Sequence, residues 1–379
     1  MNFWPFKEKR DSSFERIMGV APSVAGPHVD AKAAEGISAV FGCVQALAES
    51  TACLPLHVFH RIGGGERERA DAHSLARVLR EPNSYQSGMA FREAMTAAVL
   101  LHGNAYAKKD LDGAGELRAL HPLHPQRVAV VRLPSGRHAF DVTHDGGQYE
   151  RLLEDEVFHL ADRTEAGSIV GKSRIAVARE TLGLGLALRE HGANTFRNSA
   201  RPSGVIESDT KLTSEQAQEV ANVIRKYEGT MNAGRPLILG SRFKWKPLSM
   251  NLEDAQYIAA NQFNVEEICR IFRVPPTIVS DLRHGNYSNT AELGSQFVRY
   301  SLARWIAMWE AEISRSLLGP IARQRYFAEH SVDGLLRGNP EARAAYYETM
   351  IRAGVMLPDE CRRLENLPPL TDRDKSRQP

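Results

Sequence analysis

Apolar residues recur at helical spacing from Ile37 through Val40, Phe41, Val44 and Leu47 to Ala48, which predicts a helix over 33–51. The pattern then switches to alternation over 54–62, as in a half-buried strand, and Gly63-Gly64-Gly65 supplies a turn. A second helix is predicted over 89–101, ending near Gly103. From 105 to about 160 the chain reads as short strands, among them 127–133 and 156–160, between Gly, Pro and Asp-Gly turns. Residues 1–30 mix charge, Ser, Pro and Gly without a period and are expected to form a loose arm.

The middle of the chain changes character. Residues 171–198 read as one long helix, weakened by Gly183, Gly185 and Gly192. A compact unit follows, with strands at 205–207, 236–239 and 243–248 around a helix that begins with the capping box Thr213-Ser-Glu-Gln216. Val220, Ile224 and Tyr227 form that helix's stripe, and Gly229 stops it. Another helix is expected over 252–273, with Ile258, Val265, Ile268 and Phe272 on one face, ended by Val274-Pro275-Pro276. After a polar loop, Asn289 is placed to cap a long helix to about 318 whose buried side is Leu302, Trp305, Trp309, Ile313 and Leu317. A strand at 325–328 and two C-terminal helices complete an α+β chain.

With 379 residues, 42% of them hydrophobic and 25% charged, the chain has material for two or three domains and does not fit a disordered or fibrous class. A formal charge of +2 argues against a surface that grips nucleic acid over its whole extent. The longest charge-free apolar stretches, 36–48 and 94–107, are shorter than the ~18–20 residues of a membrane span. The first ten residues lack the apolar core of a signal peptide, and Cys43, Cys53, Cys269 and Cys361 form no C-x-x-C pair. These features predict a soluble protein of a reducing compartment.

Candidate chemistry is sparse. Ala166-Gly-Ser-Ile-Val-Gly171-Lys172-Ser173 is a relaxed phosphate-loop pattern between a strand and a helix, in which Lys172 would reach a nucleotide's phosphates. Ala166 replaces the first glycine, and no later strand supplies the acidic magnesium ligand, so the competing reading is a turn at Gly171 and a helix cap at Ser173. His121-Pro-Leu-His124 lacks the further ligands of a closed zinc site, and Gly183-Leu-Gly185 carries Leu188 where a dinucleotide fingerprint needs glycine. No catalytic residue, metal or cofactor is assigned. Arg225, Lys226, Arg235, Arg242, Lys244 and Lys246 concentrate positive charge, with Phe243 and Trp245 interleaved. That run suits DNA or an acidic partner, and equally a strand with one solvated basic face.

Seven segments occur in a definite order: His102-Gly-Asn-Ala-Tyr106, Ala200-Arg-Pro-Ser-Gly-Val-Ile206, Lys244-Trp-Lys-Pro-Leu248 with Asp254-Ala-Gln256, Val274-Pro-Pro276, Asn286-Tyr-Ser-Asn289, Gly334-Leu-Leu-Arg337 and Leu364-Glu-Asn-Leu-Pro-Pro-Leu370. Together they resemble the portal proteins of long-tailed double-stranded DNA bacteriophages, also found in prophages and gene-transfer particles, over roughly 33–370. The resemblance implies an N-terminal arm at 1–30, a wing at 31–170 and 290–330, stem helices at 171–200 and 250–276, a small α/β clip at 201–249, a tunnel loop at 277–289 and a short helical crown at 331–379. It implies a dodecameric ring at one capsid vertex that is not an enzyme. Its expected partners are the terminase large subunit, a head–tail adaptor, the major capsid or scaffold protein and double-stranded DNA passing without sequence specificity. It would be found in the virion, and in host cytoplasm during assembly. Arg283, His284, Asn286 and Tyr287 would face the DNA channel, and Arg242, Lys244 and Lys246 the clip's partners. A phosphate-loop ATPase of a packaging motor and a monomeric scaffold or DNA-binding protein are the competing readings.

Overall fold

The computed structural model describes residues 23, 26–63, 66–198, 204–208, 213–215, 218, 222, 243–247, 252–280, 294–332, 340–365, 367–368 and 370. The first helical stretch is two helices, α1 (Ala31–Glu35) and α2 (Ser38–Cys53), not the single one its periodicity predicts. Asp30 caps α1 by accepting from the Ala33 amide at 2.6 Å, and extended Ile37 separates the two. Strand β1 (Leu56–Gly63) pairs antiparallel with β2 (Glu66–Arg69), and helix α3 (Ser74–Arg80) follows, an element the periodicity does not announce. Helix α4 (Gly88–His102) packs on α2 and ends at Gly103, whose φ of 80° is the left-handed cap that glycine adopts without strain.

Three further strands make a sheet in the order β4 (Leu117–Leu123), β3 (Asn104–Leu111), β8 (Val157–Ala161), all antiparallel. Strands β5 (Val128–Arg132), β6 (His138–Thr143) and β7 (Tyr149–Leu153) form a meander beside it. Between these sheets lies a small core of Tyr106, Val128, Phe140, Val142, Leu152 and Val157. Helices α5 (Arg174–Val177) and α6 (Arg179–Asn198) follow β8, so helix begins at 174, not at 171, because Ser173 is its cap. The hairpin β9 (Gly204–Ser208) and β10 (Phe243–Pro247) precedes α7 (Leu252–Phe272). The strand expected at 236–239 and Gln216 of the capping box lie outside the described residues.

A long helix, α8, follows from 294 to 317, with an α-helical centre at Ala303–Glu312 and wider π turns at Phe297–Leu302 and Ile313–Leu317. Its expected stripe is on the core: Leu302, Trp305, Trp309 and Ile313 are buried and Leu317 is half-buried. Trp309 lies 5.7 Å from Phe158 and 6.3 Å from Phe91, centroid to centroid, and its indole Nε1 donates to Thr96 Oγ1 at 3.0 Å. Each buried tryptophan contributes several kcal/mol at ~25 cal/mol per Å². After the short helix α9 (Ala322–Arg325), strand β11 (Tyr326–His330) returns to pair with β1, joining Leu56 to His330, 274 positions apart, among others. Helices α10 (Pro340–Arg352) and α11 (Pro358–Leu364) close the chain.

Candidate functional site

The relaxed phosphate loop is the first place to look for chemistry, and its groups are already engaged. The strand before it, β8, pairs antiparallel with β3, unlike the parallel sheet of a nucleotide-binding α/β fold. The Gly171 amide donates to Asn104 Oδ1 at 2.8 Å and the Lys172 amide to Arg163 O at 2.9 Å, so neither is available to cradle a phosphate. Lys172 forms an ion pair with Glu165. Ser173 Oγ donates to Leu101 O at 2.9 Å and accepts from the Ala176 amide at 3.2 Å. The segment is a turn and helix cap.

Behind that turn lies a polar hub at the junction of β8, α5, α7 and α8. Asp162, only 4% exposed at its side chain, accepts from Arg174 Nε at 2.7 Å and pairs with Arg304 at 2.6 Å. Arg174 also donates to Ile271 O at 2.9 Å, and both guanidiniums lie over the Trp305 ring at 5.2 and 5.1 Å. Burial pushes the Asp162 carboxyl upward, but the two arginines outweigh it and hold the carboxyl below the usual range. The three residues are distant in sequence and fall in no motif, so no pattern along the chain points to them.

Helices α6 and α7 run together through positions where α6 has no side chain. A Cβ on Gly185 would stand 2.6 Å from Asn264 Oδ1, and one on Gly192 would stand 2.3 Å from the Tyr257 hydroxyl. Asn264 donates to Thr181 O at 2.9 Å and Tyr257 to Leu188 O at 3.1 Å, tying side chains of one helix to carbonyls of the other. The glycines that weaken α6 as a helix are thus its points of closest approach to α7. This reverses part of the expected stripe: Val265, Ile268 and Phe272 pack inward, whereas Ile258 is about half exposed and polar Asn264 is buried.

Of the clip residues, Lys244 and Lys246 occupy alternate positions of β10, opposite Glu207 and Val205 of β9, while Arg242 lies outside the described residues. Arg283, His284, Asn286 and Tyr287 also lie outside them. The chain before that loop forms a tight turn at Pro276–Val279 that packs on α2, with Val279 against Gly42. Arg273 and Ser280, flanking the turn, have φ of 58° and 65°. Ser301 Oγ donates to Arg273 O at 2.6 Å and anchors the first of them. Among the described residues no group of three or more His, Cys, Asp or Glu side chains converges as metal ligands, and no helix is long and apolar enough to cross a membrane.

This arrangement of paired long helices, an inserted hairpin and a sheet closed by a distant strand has relatives. The neck of an empty gene transfer agent particle, computed with C6 symmetry, superposes with a TM-score of 0.64 at 26% identity, over 97% of this chain and 96% of that one. The neck of a native particle, computed with C12 symmetry, does so with a TM-score of 0.62 at 25% identity, over 95% and 94%. The portal protein of Enterobacteria phage HK97 is 34% identical over 343 residues, which span 89% of this chain and 80% of that protein. A sequence model of the family described as phage portal protein matches residues 38–366, and the chain belongs to that family.

Proposed function

We propose that this portal protein assembles as a ring of twelve at one vertex of a phage or gene-transfer capsid, conducts double-stranded DNA through its axis in packaging and ejection, and docks a terminase and then a head–tail adaptor. The observation that carries this reading is the similarity over nearly the whole chain to a particle neck solved with C12 symmetry. In this reading 31–170 and 290–330 form the wing, 171–200 and 250–276 the stem, 201–249 the clip, 277–289 the tunnel loop and 331–379 the crown. Pairing of β1 with β11 supports a wing built from two distant segments, and the α6–α7 contacts support a stem of two helices. Arg283, His284, Asn286 and Tyr287 then face DNA, and Arg242, Lys244 and Lys246 face the clip's partners.

The ring itself hydrolyses no nucleotide; the docked terminase does. Engagement of the Gly171 and Lys172 amides and of Lys172 itself supports that division of labour. Electron microscopy of the purified full chain tests the reading. Rings with a central channel are expected, whereas a monomer at all concentrations, or ATPase activity lost in Lys172→Ala, would overturn it.

A further inference from the structure

A cavity of about 310 Å³ opens beside the N-terminus of α4, between that helix, α3 and the strands β1 and β2. Three arginines line it: Arg69, Arg80 and Arg92. Arg69 is neutralised, since it pairs with Asp71 at 3.1 Å and contacts His57 Nδ1 at 3.1 Å. Arg80 is exposed and forms no ion pair among the described residues. Arg92 is only 9% exposed; its Nη2 donates to Ala52 O at 2.7 Å, yet its Nε has no hydrogen-bond partner. A buried guanidinium that has only backbone carbonyls as partners, and no carboxylate, is costly unless an anion balances its charge.

The helix end adds to the same field. Ser87 Oγ takes the Ala90 amide at 3.2 Å, and the 15-residue helix directs its positive end toward the cavity that Gly88 and Met89 line. Gly88 is where it is because a Cβ there would stand 2.1 Å from Leu79 O, so α3 closes over the helix start and shapes the cavity floor. Leu56, Val58, Leu79 and Met89 give the walls an aliphatic part, and the lining carboxylate, Asp71, is the one already paired with Arg69.

We propose that this cavity receives the carboxylate of an acidic peptide segment on a partner protein of the particle, held by Arg80, Arg92 and the first turn of α4. A glutamate has both parts the site asks for: an aliphatic stem for the apolar walls and a charged head for the guanidiniums. A DNA backbone fits less well, because a duplex cannot enter a cavity of this size and its grip needs a row of cations on an open face. The site uses no residue assigned to the clip or the tunnel loop and does not depend on the number of subunits in the ring.

Fluorescence anisotropy with fluorescein-labelled hexaglutamate, on the purified full chain, tests it. Hexaglutamate should bind the unaltered protein, and Arg80→Glu should weaken binding about tenfold or more. Met89→Asp, which sets a carboxylate of the chain's own at the helix end, should do the same, while Arg132→Glu on the exposed edge strand β5 should leave binding unchanged. No binding at about 1 mM peptide, or equal binding by all three variants, would overturn the proposal. So would a labelled DNA duplex that responds to Arg80→Glu and Met89→Asp more strongly than the peptide does.

Discussion

A β-carbon on Gly171 would stand 2.2 Å from the carbonyl oxygen of Gly103, and one on Gly103 would stand 2.6 Å from the carbonyl oxygen of Gly171. The two backbones touch because Asp162 N donates to Gly103 O at 2.9 Å while Asn104 Nδ2 donates to Gly171 O at 2.9 Å. The end of α4 is thereby stitched to the entrance of α5.

Alanine at 171 must therefore push the two backbones apart and break the Asn104 contacts. The expected cost of Gly171→Ala is about 3 kcal/mol or more. Urea denaturation should show a lower midpoint, and an unchanged midpoint would mean that the junction is loose.

The hub at Asp162 gives a second prediction. Asp162→Asn leaves Arg174, 15% exposed at its side chain, without its counter-charge, at a cost of about 3 kcal/mol. The folded carboxyl titrates below its unfolded value of ~3.9, so its stabilisation is complete above about pH 5 and fades as pH falls through the folded value. In a pH series of Tm values, the variant should show a shallower acid-side slope below about pH 4 than the unaltered protein, whose other paired carboxylates keep part of it.

Two histidines act at higher pH. Burial first, and then Arg315, pushes His159 down to about 3; burial first, and then His124, pushes His102 down to about 4. Both are neutral in the folded chain at pH 7. Because the unfolded imidazoles take up protons near pH 6.5 and the folded ones do not, stability should fall as pH drops from there toward 4. Each contributes up to ~1.4 kcal/mol per pH unit. His159→Gln should flatten that slope, measured by urea midpoints at pH 7 and pH 5.

Reversing Lys244 and Lys246 to Glu should leave rings intact and weaken terminase or adaptor binding. Size exclusion separates the outcomes: rings that vanish while the monomer stays folded would make β10 a subunit contact instead.

For the proposed tunnel loop, Arg283→Ala or removal of 284–287 should spare ring formation and terminase docking but impair packaging or retention of full-length DNA. A nuclease-protection assay on assembled particles reads the packaged length, and wild-type length from the shortened loop would overturn the assignment.

Much of the fold is legible along the chain, because most elements bury one face. The α8 stripe from Leu302 to Leu317 follows directly from that. What is not legible is whatever depends on a neighbour that the sequence does not name. Gly185 and Gly192 read as helix defects until α7 is laid against them, and Asn264 reads as a solvent residue until it meets Thr181 O. The Asp162 hub joins residues 12 and 142 positions away, and local spacing carries no trace of it. The phosphate-loop pattern errs in the other direction: a glycine, a lysine and a serine suit a tight turn and a cap as well as they suit a nucleotide.

The π turns of α8 have a geometric consequence. In an α-helix each four-residue step overshoots a full turn by about 40°. Trp305, Trp309, Ile313 and Leu317 are spaced by three such steps, which would carry the last about 120° around the axis and away from the core. A wider turn holds an extra residue and takes part of that rotation back. The one at Ile313–Leu317 lets Leu317 stay packed against the core, and the one at Phe297–Leu302 sets Ser301 toward Arg273 O independently of the tryptophans. The helix works like a vernier: three short scales on one rod, each read against a different part of the protein.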